Sequence, residues 1–194
     1  MPLLVGPCQP AGSLRALRQP HLGVDDRLAL RPWRESDAKT VMAAFECPDI
    51  QRWHLRRMDT PAEALAWIAG WATRWDDESD ASWAVVDPRD DQPIGQVGLR
   101  AISLFEASAN LSYWVLPAAR GTGVAVRAAQ ALTRWTFDVL GLHRVSLDHS
   151  TANVASCRVA AKLGFDLEGT LRGAARHADG WHDMHKHARL RTDD

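Results

Sequence analysis

The sequence predicts a mixed α/β domain with helices packed on one central sheet, and three observations predict it. Short apolar or alternating runs of strand length recur along the chain. Between them lie segments whose apolar residues fall at helical intervals, one of them opened by a complete capping signal. A glycine-bearing turn, Arg120–Ala125, joins a strand directly to a helix.

Residues 1–26 are rich in Pro, Gly and Ala and carry no periodicity, so they read as a flexible extension, partly disordered or draped on the domain. The domain is expected to span 27–191. Arg27–Arg31 alternates as a short strand that Pro32 disfavours continuing. Ser36 is a candidate cap for a helix with apolar Val41, Met42, Ala44 and Phe45, which Pro48 stops. Thr60, Pro61 and Glu63 form a capping box with proline at the first helical position. Leu65, Ile68, Trp71, Ala72 and Trp75 follow as its apolar stripe, and Trp67 lies off it. Strands are expected at 82–86, 94–102 and 109–116, the first two separated by the Asp/Pro-rich turn Pro88–Pro93. A helix over about 124–140 ends at Gly141, and a strand follows at 144–148. A helix over 154–163 closes at Gly164, and strands 165–171 and 181–190 turn around Asp179-Gly180. The order is β-α-α-β-β-β-α-β-α-β-β.

With 194 residues the chain is long enough for one full core. Its 46% hydrophobic and 24% charged residues are ordinary for a globular protein, and the net charge of -1 offers no basic field for nucleic acid. Cys8, Cys47 and Cys157 are odd in number and widely spaced, which argues against a disulfide framework and fits a cytoplasmic chain. No apolar run approaches a membrane span, and the opening residues lack a basic leader segment.

Arg120-Gly121-Thr122-Gly123-Val124-Ala125 carries the chemistry. Glycines let the backbone approach a ligand, and the first turn of a helix leaves N–H groups without partners at the positive end of its dipole. Together they form an anion cradle suited to a pyrophosphate. A P-loop would need Lys followed by Ser or Thr after its second glycine, and a dinucleotide fingerprint would need a third glycine; neither is present.

Tyr113-Trp114-Val115-Leu116-Pro117 followed by Arg120–Ala125 resembles the pyrophosphate-binding motif of the GNAT superfamily of N-acetyltransferases. Asn153–Ser156, Lys162-Leu163-Gly164-Phe165, Glu168-Gly169 and Arg172 resemble that superfamily's second cofactor segment. The ending Gly180–Asp183 to Ala188–Leu190, with Leu30–Trp33 and Ser36–Ala38 near the start, is similar to the branch that acetylates ribosomal-protein N-termini. The resemblance covers about residues 27–191. It implies a central, mixed, mostly antiparallel twisted sheet flanked by about four helices, and acetyl transfer from acetyl-CoA to a primary amine in a ternary complex.

The resemblance also implies residue roles. The strand Trp114, Val115 and Leu116 would pair with the pantetheine arm, and the Val115 N–H would polarise the thioester carbonyl. The amides of Arg120, Gly121, Thr122, Gly123, Val124 and Ala125 would hold the pyrophosphate. Asn153 would bind the arm or simply cap a helix, and Ser156 would protonate the departing thiolate. Where many relatives carry a Glu base, this chain has Asn110, so the base is displaced, solvent-mediated or unnecessary; Glu106, His54 and His149 are candidates. Deprotonating a lysine-type amine at pH 7 costs roughly 4–5 kcal/mol and an α-amine only about 1–1.4 kcal/mol, which tilts the reading towards a peptide N-terminus. His177, His182, His185 and His187 cluster near the C-terminus; His185 and His187 share a strand face, but without an accompanying ligand pattern the strand reads as lining the acceptor cleft, with the imidazoles binding or deprotonating substrate, and no metal is expected. The Trp-rich stretch Trp53–Trp75 is expected to shape the acceptor side. The alternatives are a small-molecule amine acetyltransferase and a non-catalytic acyl-CoA binding module. Expected partners are acetyl-CoA and the amine, with no nucleic acid or membrane, in a monomer or homodimer.

Overall fold

The computed structural model describes residues 4–193. Eight strands form one sheet in the order β1-β2-β3-β4-β5-β6-β8-β7. They are β1 (Leu22–Asp25), β2 (Leu28–Arg31), β3 (Ala81–Val86), β4 (Pro93–Ser103), β5 (Ser108–Val115), β6 (Arg144–Ser150), β7 (Asp166–His177) and β8 (Gly180–Leu190). Every pairing is antiparallel except β5 with β6. The helices are α1 (Ala38–Glu46), α2 (Pro48–Gln51), α3 (Pro61–Asp76), α4 (Val124–Asp138) and α5 (Val154–Lys162). The fold is the expected one, with one strand (β1) and one helix more: Pro48 ends α1 but, preset for a first helical position, also starts the single turn α2. No helix among the described residues is long and apolar enough to cross a membrane.

The helices divide between the two faces of the sheet. Leu132, Ala128 and Ala129 of α4 and Ala160 of α5 pack on one face against Val97, Leu111, Val145 and Leu147. Val41 and Phe45 of α1 and Ile68 and Trp71 of α3 pack on the other, against Trp33, Ala84 and Trp114. Trp67 joins this second core edge-on to Trp33 and Trp71, whereas Leu65, expected inside, is exposed. The Thr60 cap forms as read: its Oγ1 accepts from Glu63 N–H at 3.3 Å and the Glu63 carboxylate accepts from Thr60 N–H at 2.9 Å. Ser36 instead lies within a short turn that precedes α1, held where Asp37 accepts from Arg34 N–H (2.8 Å).

The leading segment is draped on the sheet from Cys8 onward. Leu14 is fully buried, the Glu78 carboxylate accepts from the amides of Gly12, Leu14 and Arg15, and the indoles of Trp75 and Trp83 donate to the carbonyls of Leu17 and Pro20. Its last residues form β1, so the sheet begins before residue 27.

One feature of the sheet positions the chemistry. β5 pairs with β6 over only three residues, Ser108↔Arg144 to Asn110↔Ser146, although β5 continues to Val115 and β6 to Ser150. Beyond Asn110, β5 stays with β4 and β6 stays with β8. Each half keeps its own twist, and the parallel seam opens into a notch.

Candidate active site

Backbone alternation decides which groups face the notch. The Leu116 N–H donates to Ile94 O at 2.9 Å, and Trp114 lies opposite Gln96. In an antiparallel pair this turns the polar backbone of Trp114 and Leu116 towards β4 and that of Tyr113 and Val115 away from it. The free Val115 N–H is therefore the group aimed at the notch. Trp114 and Leu116, expected to pair with the pantetheine arm through their backbones, have those groups committed; the Trp114 ring is buried beside Trp33.

At the mouth, Gly121 and Gly123 take φ of 77° and 80°, the left-handed region that glycine adopts without strain. A Cβ added at Gly121 would meet nothing within 4 Å. Among the described residues the amides from Gly121 to Val126, including those of Thr122, Val124 and Ala125, donate to no protein acceptor. This is an open nest of N–H groups at the start of α4. Arg120 departs from the expected role. Its amide donates to Pro117 O (3.2 Å), and its side chain turns back to donate to Val115 O (3.1 Å) and Asp49 Oδ2 (2.7 Å).

Across the notch, Asn153 caps α5: its Oδ1 accepts from Ser156 N–H at 3.1 Å, leaving its NH₂ group without a protein acceptor among the described residues. Ser156 Oγ lies 2.8 Å from the Tyr113 hydroxyl. Burial pushes the Tyr113 phenol up to about 12, with the Ser156 hydrogen bond opposing the shift. A thiol near 8.5 is a far stronger acid, so full proton transfer from this phenol to a thiolate runs uphill by roughly 5 kcal/mol. The Tyr113–Ser156 pair is suited to donating a hydrogen bond to a departing thiolate rather than surrendering a proton. Tyr113 is the only tyrosine in the chain.

The base candidates separate clearly. Glu106 is exposed in the β4–β5 turn, at the opposite end of β5 from Val115, about 24 Å of strand away. It is removed from the site by the hairpin that carries it. His54 packs against Phe45, and burial together with the charges of Arg100 and Arg56 holds it down to about 4. His149 faces α5, not the acceptor face. The carboxylate that the sequence reading missed is Asp148. Asn110 Nδ2 donates to Asp148 Oδ2 at 2.9 Å, while Asp148 Oδ1 is buried with no partner among the described residues. No cation lies within ion-pair distance of Asp148 among the described residues.

Asp148 shares its face with Ser150, which continues to His182 (Oγ to Nδ1, 2.7 Å) and on to the exposed Asp179 (Nε2 to Oδ1, 2.8 Å). Trp53 covers His177 and His182 edge-on, so the segment between α2 and α3 forms one wall of this side. A cavity of about 300 Å³ is lined by Ser150, Thr151, Ala152, Trp181, His182 and Asp183. On β4, opposite Asn110, Arg100 lays its guanidinium 4.2 Å from the Trp71 ring centre, with no carboxylate within 4.0 Å among the described residues. Burial pushes Arg100 down to about 10.

His185 and His187 do not line this cleft. They project from the other face of β8, where His149 and Cys157 meet them.

Comparison with known proteins identifies the family and the fold. The family model described as acetyltransferase (GNAT) domain matches residues 27–166. An uncharacterized N-acetyltransferase, YoaA of Bacillus subtilis (strain 168), is 28% identical over 148 residues, covering 76% of this chain and 84% of the relative. A spermidine N(1)-acetyltransferase of Escherichia coli (strain K12) is 27% identical over 143 residues, covering 73% of this chain and 74% of the relative. The solved structure of RimL, a ribosomal L7/L12 alpha-N-protein acetyltransferase in complex with coenzyme A, shares the fold at a TM-score of 0.82 with 20% identity, over 88% of this chain and 98% of that one.

Proposed function

Because this chain belongs to the GNAT acetyltransferase family, it is an N-acetyltransferase that uses acetyl-CoA and needs no metal for the transfer; we propose that its acceptor is the α-amine of a peptide N-terminus, received by Asp148. The observation that carries this reading is the Asn110–Asp148 pair. Where the family resemblance implies a Glu, Asn110 holds a neighbouring carboxylate by one oxygen and leaves the other buried and unpartnered among the described residues.

The residues divide the reaction among them. The nest from Gly121 to Val126 and the Asn153 amide bind the cofactor's phosphates and arm. The Val115 N–H stabilises negative charge as the amine nitrogen attacks the thioester carbonyl carbon. As the carbon–sulfur bond breaks, Tyr113 and Ser156 hydrogen-bond the departing thiolate, and the second proton of the attacking nitrogen passes to that sulfur, so that coenzyme A leaves as the thiol. Asp148 attracts the incoming ammonium and takes its proton, and the hydrogen-bonded Ser150, His182 and Asp179 lie further along the same face, towards the surface.

The charge of the acceptor side favours a peptide over a polyamine. Arg100, Arg56 and Arg74 gather around Trp71 and His54, with the Asp80 carboxylate 3.7 Å from Arg74. Guanidinium groups on this side suit the carbonyl or carboxylate oxygens of a peptide better than a chain of ammonium groups.

A thiol-release assay with acetyl-CoA tests this. Peptides with a free N-terminus should turn over; the same peptides with a blocked N-terminus and an internal lysine, and spermidine, should turn over at least tenfold more slowly. Faster turnover of spermidine or of lysine side chains overturns the peptide reading, and coenzyme A release from none of them favours a non-catalytic binding module.

A further inference from the structure

We propose that His149, His185, His187 and Cys157 form a tetrahedral Zn²⁺ site beneath α5, separate from the transfer chemistry. One ligand atom from each of the four lies within 4.8 Å of all the others. They come from three elements: His149 from β6, His185 and His187 from neighbouring positions on β8, and Cys157 from the first turn of α5.

The hydrogen bonds around the cluster fix its chemistry. His149 Nδ1 lies 2.8 Å from Ser150 O, and His187 Nδ1 lies 3.1 Å from Phe165 O. A carbonyl only accepts, so both Nδ1 atoms carry hydrogen, and both neutral rings present a bare Nε2 lone pair. Those two Nε2 atoms face each other at 3.3 Å. Two lone pairs at that separation repel unless a cation lies between them. Two nitrogens each about 2.05 Å from one zinc ion at the tetrahedral angle stand about 3.3 Å apart. Backbone carbonyls that hold the second ring nitrogen are the usual outer partners of zinc-bound histidines.

Two further observations point the same way. Among the described residues, His185 Nδ1 is buried with no hydrogen-bond partner, and no carboxylate belongs to the cluster to pair with a protonated ring. His149 and His187 are buried, whereas His185 and Cys157 are half-buried and give an ion a way in. Zn²⁺ would replace the Cys157 thiol proton, which leaves to solvent, and the closed four-ligand set marks a structural site. The ion would tie α5 to β6 and β8 one residue from Ser156.

The test is metal binding by the full-length, untagged chain, using Zn²⁺ and Co²⁺ alone. One equivalent of Zn²⁺ should survive dialysis. One equivalent of Co²⁺ should give the intense visible bands of a tetrahedral site with a thiolate-to-cobalt charge-transfer band in the near ultraviolet. Cys157→Ser should remove the charge-transfer band. Loss of an outer hydrogen bond costs about 10–100-fold in affinity, so loss of this ligand should weaken Zn²⁺ binding by more than that. His185→Gln, on the half-buried side, should do the same. Less than a tenth of an equivalent of retained Zn²⁺ with a pale octahedral Co²⁺ spectrum overturns the site, and so does a Cys157→Ser spectrum identical to that of the unchanged chain.

Discussion

Replacing Asp148 with Asn tests the proposed acceptor chemistry directly. The change is nearly isosteric: the new amide oxygen can accept from Asn110 as Asp148 Oδ2 does at 2.9 Å. Its NH₂ group then falls where Oδ1 is buried without a partner, a cost of about 1–3 kcal/mol that a stable domain survives. What disappears is the charge. A carboxylate about 4 Å from an ammonium, at an effective dielectric near 20, attracts it by about 4 kcal/mol. The retained polar contact offsets part of this, and a residual loss of about 2.7 kcal/mol corresponds to roughly 100-fold in kcat/KM. Initial rates of thiol release at pH 7 with an N-terminal peptide read that loss. An α-amine titrates near 7.7–8.0, so at about pH 9 most of it is neutral and the deficit should shrink below roughly tenfold. A variant within about threefold of the unchanged chain at pH 7 removes Asp148 from the mechanism, and a 100-fold deficit that persists at high pH removes its role in proton acceptance.

Further expectations follow from other parts of the molecule. Tyr113→Phe removes the phenol that holds Ser156 at 2.8 Å and should lower kcat by about 10–100-fold with little change in KM for acetyl-CoA, measured by steady-state kinetics. Gly123→Val places a β-branched residue at φ 80° in the phosphate nest, so the KM for acetyl-CoA should rise at least tenfold while the peptide KM stays nearly constant. Arg31 is 3% exposed and donates to both Asp37 oxygens at 2.7 and 2.9 Å and through Nε to Asp91 at 2.7 Å; Asp37→Ala removes one of its two carboxylates and should cost about 1–3 kcal/mol in denaturant unfolding, whereas removing both Asp37 and Asp91 leaves the buried charge unpaired and should cost about 3–5 kcal/mol. Burial, Arg100 and Arg56 lower His54 from 6.5 to about 4, so between these values the unfolded chain holds a proton that the folded chain does not. Stability should therefore fall as pH drops through that window, by at most roughly 3 kcal/mol, and His54→Phe should flatten the slope of unfolding free energy against pH.

What the sequence made legible and what it hid follow one physical rule. Local signals were readable: the Thr60 capping box, the terminal glycines Gly141 and Gly164, and the glycines of the phosphate nest each depend on residues within a few positions. Groups whose roles depend on strand pairing were not. Asn110 was visible as a missing base, but its partner Asp148 is 38 positions away and meets it only because β5 and β6 run parallel before they part. The two histidines expected in the cleft show the same limit. Alternation placed His185 and His187 on one face of a strand, yet which face turns to α5 is set by register, His185 opposite His149 and His187 opposite Leu147. A slip of one residue would send both rings to the acceptor side and Lys186 beneath the helix. Backbone direction behaves likewise: the Val115 amide is free because Leu116, not Val115, is the residue bonded to Ile94. The parity of a single hydrogen bond on β5 thus decides which amide can act on a thioester, and no pattern within the strand itself records it.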